Sequence, residues 1–160
     1  DLVDIWVRKE HSNLTRLSRW GLKVPKPLGI HKNVLVMEYL GDEISPSLKL
    51  REVKVDFPEP VYDELLEFLA VTWQKAKLAH GDFSPYNILW HDGGPVVIDV
   101  GQAVIETHPK AQEFLVRDVT RLVEWGQKQG LEVDLAGAMY EVLNMNLDHI
   151  EKLEIEFEEE

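Results

Sequence analysis

The chain predicts an α+β fold in which helices dominate, and three observations carry that reading. Apolar residues recur at helical spacing in three stretches, two short apolar runs are joined by turn residues, and 44% of the 160 residues are hydrophobic, enough for one ordinary core.

The first stretch predicts a helix near 4–20, with Val3, Val7, Glu10, Leu14 and Leu17 on one face. A carboxylate interrupts that stripe, so Glu10 is expected to meet a cation in the complete fold or to border the stripe and reach solvent. Strands follow near 24–30 and 34–38, then a connection over 39–43 and a loop with short turns to 59. Val61, Leu65, Phe68, Leu69, Trp73 and Ala76 mark a core helix over 61–78. The runs Ile88-Leu89-Trp90 and Val96-Val97-Ile98, separated by His91-Asp92-Gly93-Gly94, predict a hairpin over 88–99. Ala111, Leu115, Asp118, Leu122 and Trp125 share one face of a helix over 110–128, and a last helix is expected over 134–147. Pro60 and Pro109 suit first helical turns, where a missing N–H costs nothing. The acidic run from Glu154 to Glu160, closing in Glu158-Glu159-Glu160, is expected to stay solvated, the alternative being an interaction tail.

Composition narrows the function. No cysteine is present, which removes disulfides, thiol nucleophiles and thiolate metal sites together. No apolar run approaches the roughly 20 residues of a membrane span, and the start lacks a basic-then-apolar signal pattern. A cytoplasmic protein without membrane partners is the expectation. With 17 basic against 29 acidic residues, net −12, no general affinity for nucleic acid is expected.

The chemistry concentrates in His80-Gly81-Asp82-Phe83-Ser84-Pro85-Tyr86-Asn87 and in Ile98-Asp99-Val100-Gly101 after the hairpin. Phosphoryl transfer needs a carboxylate to position the acceptor and hard oxygen ligands for Mg²⁺. Asp82 is the candidate base, and Asn87 and Asp99 are the candidate metal ligands, with the hairpin returning Asp99 beside Asn87. His80 is expected to hydrogen-bond backbone near Asp99 rather than carry protons.

These motifs resemble the protein-kinase superfamily, whose catalytic loop and metal-binding aspartate follow this order. Gly81 stands where an Arg is usual, Val100 where a Phe is usual, and no Ala-Pro-Glu segment follows. His108-Pro109-Lys110-Ala111-Gln112-Glu113-Phe114-Leu115 resembles instead the RIO family of atypical serine/threonine kinases, nearest its first subfamily. Upstream, Val7 to Leu14 looks like the helix that carries the kinase ion-pair glutamate, and Val34 to Gly41 like the last upper-lobe strand and the hinge. The resemblance implies a kinase-like fold with a partial upper lobe over 1–38, a hinge at 39–43, a mainly helical lower lobe over 44–150 and an acidic tail over 151–160. It implies ATP with Mg²⁺ or Mn²⁺, with Met37 bordering adenine and the backbone of Glu38 and Leu40 bonding it. Glu10 would pair with a lysine on an earlier strand, which this sequence lacks together with a Gly-rich phosphate loop. Asp118 would accept catalytic-loop backbone hydrogen bonds, the alternative being an ion pair with Arg117 or Arg121. Asp99 could itself accept phosphate, as in an ATPase-like switch, and a pre-ribosomal small subunit or its proteins would be the partner in subunit maturation.

Without the lysine strand and phosphate loop, a fragment or shortened form with little activity of its own is expected. Two rival readings remain. His80-Gly81-Asp82 also occurs in small-molecule phosphotransferases resembling the aminoglycoside and choline kinases, although 41–59 is short for their helical insertion. The third reading is a non-catalytic remnant lobe that binds partners.

Overall fold

The computed structural model describes residues 1–154. Four helices and seven short strands follow in chain order: α1 (Leu2–Arg19), β1 (Pro27–His31), β2 (Val34–Met37), β3 (Leu48–Lys49), α2 (Pro58–Gln74), β4 (Leu78–Ala79), β5 (Ile88–His91), β6 (Gly94–Val97), β7 (Val104–Ile105), α3 (Ala111–Lys128) and α4 (Leu135–Asn144). A 3₁₀ turn over Leu50–Glu52 follows β3. The segment 155–160 of the expected acidic tail lies outside the described residues.

The helices begin where their capping chemistry allows. Asp1 accepts the Asp4 N–H at 3.0 Å and closes a capping box that starts α1 two residues ahead of the expected helix. Pro58 opens α2, which places Pro60 within its first turn and ends the helix at Gln74, before Ala76. Pro109 falls outside α3, which Lys110 precedes, and Asp134 caps α4 through the Gly137 N–H at 2.7 Å. The last helix therefore runs to Asn144 rather than 147.

The strands form three small antiparallel sheets: β1 with β2, β3 with β5 and β6, and β4 with β7. The 88–99 hairpin forms as β5 and β6, with Ile88 opposite Val97 and His91 opposite Gly94. Asp92 and Gly93, both at positive φ, make its two-residue turn, the conformation that matches strand twist. Regular pairing stops at Val97, and Ile98 remains tied to Asn87 by one backbone bond of 2.9 Å.

The core lies between α2, α3 and α4 and continues through Phe83 of the 80–87 loop to Leu14 and Leu17 of α1. The α2 and α3 stripes are buried as expected, with Trp73 and Ala76 packed on the same core. The α1 stripe is corrected. Leu14 and Leu17 are buried, but Val3 is exposed, and Ile5 and Trp6 are 61% and 60% exposed. The C-terminal half of α1 meets the body of the molecule, whereas its first two turns leave Leu2, Val3, Ile5 and Trp6 exposed.

Candidate active site

A short sheet and a buried carboxylate shape the loop that carries Asp82. β4 pairs with β7, Ala79 opposite Val104, so the chain leaves α2, passes through residues 80–87 and returns past Asp99 within one closed unit. Asp118, buried on α3, accepts the Gly81 N–H at 2.9 Å and the Phe83 N–H at 3.1 Å. Those two donors flank Asp82 and turn its side chain outward. Desolvation raises the Asp118 pKa to about 6, against the opposing pull of the Gly81 and Phe83 N–H groups and Arg117.

Arg117 does not form the ion pair considered for Asp118. Its guanidinium donates to the Gly81 carbonyl at 2.6 and 3.0 Å and lies over the Phe114 ring, 4.7 Å from the centroid. Gly81 thus binds α3 through both its N–H and its C=O. Its φ of +89° favours glycine, and a Cβ there would lie 2.6 Å from the Phe114 ring.

His80 is buried and locked into one tautomer. Its Nε2 donates to the Ile98 carbonyl at 3.1 Å and its Nδ1 accepts the Asp82 N–H at 3.0 Å. Burial lowers its pKa, keeping the ring neutral and suited to one donor and one acceptor role.

Asn87 turns back on Asp82. Its amide nitrogen donates to the Asp82 carboxylate at 2.7 Å and to the Asp82 carbonyl at 3.0 Å, which directs its amide oxygen elsewhere. The Ile98 N–H donates to the Asn87 carbonyl, so the residue before Asp99 is pinned to Asn87. Asp99 itself sits at φ +55°, a left-handed conformation that non-glycine residues seldom adopt and that clusters at functional sites. The Gln102 side chain donates to the Asp99 and His80 carbonyls and fixes that turn. An amide oxygen and an exposed carboxylate are hard donors of the kind Mg²⁺ takes, so the residues present fit that ion.

Glu10 approaches from α1. Its side chain runs past Gly101, where a Cβ would stand 3.7 Å from the Glu10 carboxyl carbon. Burial first, and the charge of Asp99 second, raise its pKa. Among the described residues no ion pair involves Glu10.

At the connection after β2, the Glu38 N–H donates to Lys26 O at 2.8 Å and Leu40 O accepts the Ser47 N–H at 3.0 Å. Among the described residues this leaves the Glu38 carbonyl and the Leu40 N–H without backbone partners. Met37 ends β2 and is partly exposed. The sequence reading therefore brings Asp82, Asn87, Asp99, His80 and Asp118 into one bonded unit, with Glu10 beside Asp99 and Met37, Glu38 and Leu40 on a separate segment.

Two residues that position this unit, Asn13 and Gln102, escaped sequence reasoning, and Arg117 was considered there only as an ion-pair partner. Gln102 and Arg117 hold the loop as described, and buried Asn13 donates from α1 to Val100 O at 2.8 Å and Ala103 O at 3.3 Å.

A family model described as the RIO domain matches residues 1–137. The chain belongs to the RIO family of serine/threonine kinases. A RIO-type serine/threonine-protein kinase, Rio1, of Haloferax volcanii is 44% identical over 140 residues, covering 88% of this chain and 48% of the relative. The Rio1 of Thermoplasma acidophilum is 40% identical over 134 residues, covering 84% of this chain and 70% of its own length. The RIO lobe also superposes on the Rio2 kinase of Chaetomium thermophilum, solved as an ADP/Mg²⁺–phosphoaspartate complex. That match has TM-score 0.70 and 25% identity, covering 86% of this chain and 44% of that one. The chain thus spans about half the length of the Haloferax relative and of the Rio2 structure. No described helix is long and apolar enough to cross a membrane.

Proposed function

We propose that this RIO chain carries the catalytic lobe of an ATP- and Mg²⁺-dependent phosphotransferase or ATPase acting on serine or threonine hydroxyls. The observation that carries the reading is the bonded set Asp82–Asn87–Ile98, which gathers the candidate base and both candidate metal ligands on one rigid frame. Asn87 Oδ1 and the Asp99 carboxylate would hold the metal, which would supply charge to neutralise the phosphates. Asp82, free of the core on its exposed side, orients the acceptor hydroxyl and takes its proton. The Glu38 carbonyl and Leu40 N–H offer the acceptor and donor pair that an adenine edge requires, with Met37 against its face. Glu10 waits for a lysine, whose charge would lower its raised pKa.

Asp99 is also the proposed phosphoryl acceptor. Attack of its carboxylate oxygen on the γ-phosphorus would form an acyl phosphate and release ADP, in keeping with the phosphoaspartate in the Rio2 complex. A role in small-subunit maturation and a cytoplasmic location belong to the same proposal and rest on the family resemblance. Isothermal titration of the chain with ATP, with and without Mg²⁺, tests it. Binding that requires Mg²⁺ and is lost in Asp99→Ala is expected. No Mg²⁺-dependent heat in the unsubstituted chain would overturn the proposal and favour a partner-binding lobe.

A further inference from the structure

A cavity of about 580 Å³ opens between the 3₁₀ turn, residues Ser84–Tyr86 and the C-terminal half of α3. Its size suits a few side chains. Leu50 and Trp125, both buried, form its apolar lining, while Arg51, Arg121 and Lys128 bring three cations to its wall against the single acid Glu124. In a chain of net −12 such a local excess of positive charge runs against the average.

The three cations are not neutralised internally. Among the described residues, none of them forms an ion pair, and Arg121, considered above as a partner for Asp118, faces this cavity instead. Arg51 is also held in place. Its guanidinium lies 4.4 Å from the centroid of the Tyr86 ring and its N–H donates to Pro85 O at 3.3 Å. That stacking leaves the guanidinium edge to donate to an anion.

We propose that this cavity binds an acidic segment of a polypeptide, seating its carboxylates against Arg51, Arg121 and Lys128 while its neighbouring hydroxyl residue reaches toward Asp82. The placing of the hydroxyl at Asp82 rests on the phosphotransferase reading, whereas the binding of the acidic segment does not. A cavity of this size with three cations matches two or three carboxylates on short side chains. A nucleic acid strand needs an extended positive track, which the strongly acidic remainder of this chain opposes. Tyr86 and the 3₁₀ turn thus become the acceptor-side wall of the loop, next to Asn87.

Fluorescence anisotropy without nucleotide tests the inference, using a labelled ten-residue peptide with one serine among glutamates. The same peptide with every Glu replaced by Gln and a ten-nucleotide single-stranded RNA serve as comparators. The expected result is binding of the acidic peptide at least about tenfold tighter than the Gln peptide, as charge-assisted hydrogen bonds require. The double variant Arg121→Glu/Lys128→Glu should lose at least about tenfold in affinity, and Lys152→Glu, outside the cavity, should lose little. Equal affinity for the two peptides, or equal losses in both variants, would overturn the proposal. So would cavity-dependent RNA binding without peptide binding. Because no ATP is present, peptide binding in a chain that fails to bind Mg²⁺–ATP would retire the phosphotransferase reading while leaving the cavity assigned.

Discussion

Around α3 the buried polar groups have partners, whereas along α1 Asn13 has them and two others do not. Asp118 takes three N–H contacts from Gly81 and Phe83, and His80 uses both ring nitrogens. On α1, His11 Nε2 and Thr15 Oγ1 are buried without a hydrogen-bond partner, and Ile5 and Trp6 stand exposed. Glu10 on the same helix carries a raised pKa from burial and from Asp99. The difference teaches where the site gets its rigidity. The loop bearing Asp82 and Asn87 is fastened by satisfied, buried bonds to α3, while α1 with β1 and β2 is fastened by its C-terminal turns and by Asn13. Regions with few buried contacts open locally before the rest of a fold, so Glu10 and the Met37–Leu40 segment are the softer side of the cleft.

The largest expected effect comes from cutting the α3 anchor. Asp118→Ala leaves two buried N–H donors without acceptors and should cost about 2–4 kcal/mol in urea unfolding. A cost below about 1 kcal/mol would mean that water replaces the carboxylate and that the contrast between the regions is false. Gly81→Ala should follow, at about 1–3 kcal/mol, because the residue must keep a positive φ and displace the Phe114 ring.

Protonation sharpens the same point. Asp118 has a folded pKa of about 6 against an ordinary value of 3.8, so the folded state holds that proton more tightly. Its contribution is therefore present at low pH and lost as pH rises from about 4 to about 6. Subtracting the stability profile of Asp118→Asn from that of the unsubstituted chain should isolate a fall over that window. A flat difference would contradict it. The smallest effect belongs to α1: Trp6→Ala should change stability by no more than about 0.5 kcal/mol, as for other exposed positions. A cost above about 1.5 kcal/mol would show that the first turns of α1 are packed after all.

The regions also differ in how legible they were. The α2 and α3 stripes were readable because every apolar position meets the core, and the Asp82-to-Asn87 and hairpin spacings because local turn chemistry returns them to one place. Asp118 stood out as a carboxylate inside a stripe. The α1 stripe misled, since periodicity records an apolar face but not whether a partner covers it. Asn13 and Gln102 were invisible, and Arg117 was assigned the wrong partner, because their partners are backbone groups, for Asn13 a carbonyl 87 residues away, and such pairing leaves no pattern in the side chains. The cavity beside Tyr86 was hidden likewise, its cations coming from two distant segments.

The central claim is that a nucleotide and Mg²⁺ meet on the braced loop, and amide chemical-shift mapping by NMR during titration with Mg²⁺ and a non-hydrolysable ATP analogue tests it most directly. The account predicts Mg²⁺-dependent shifts at Asn87, Asp99 and Val100, with Leu40 moving as adenine binds. Shifts confined to other surfaces, or none at these amides at saturating nucleotide, would contradict it.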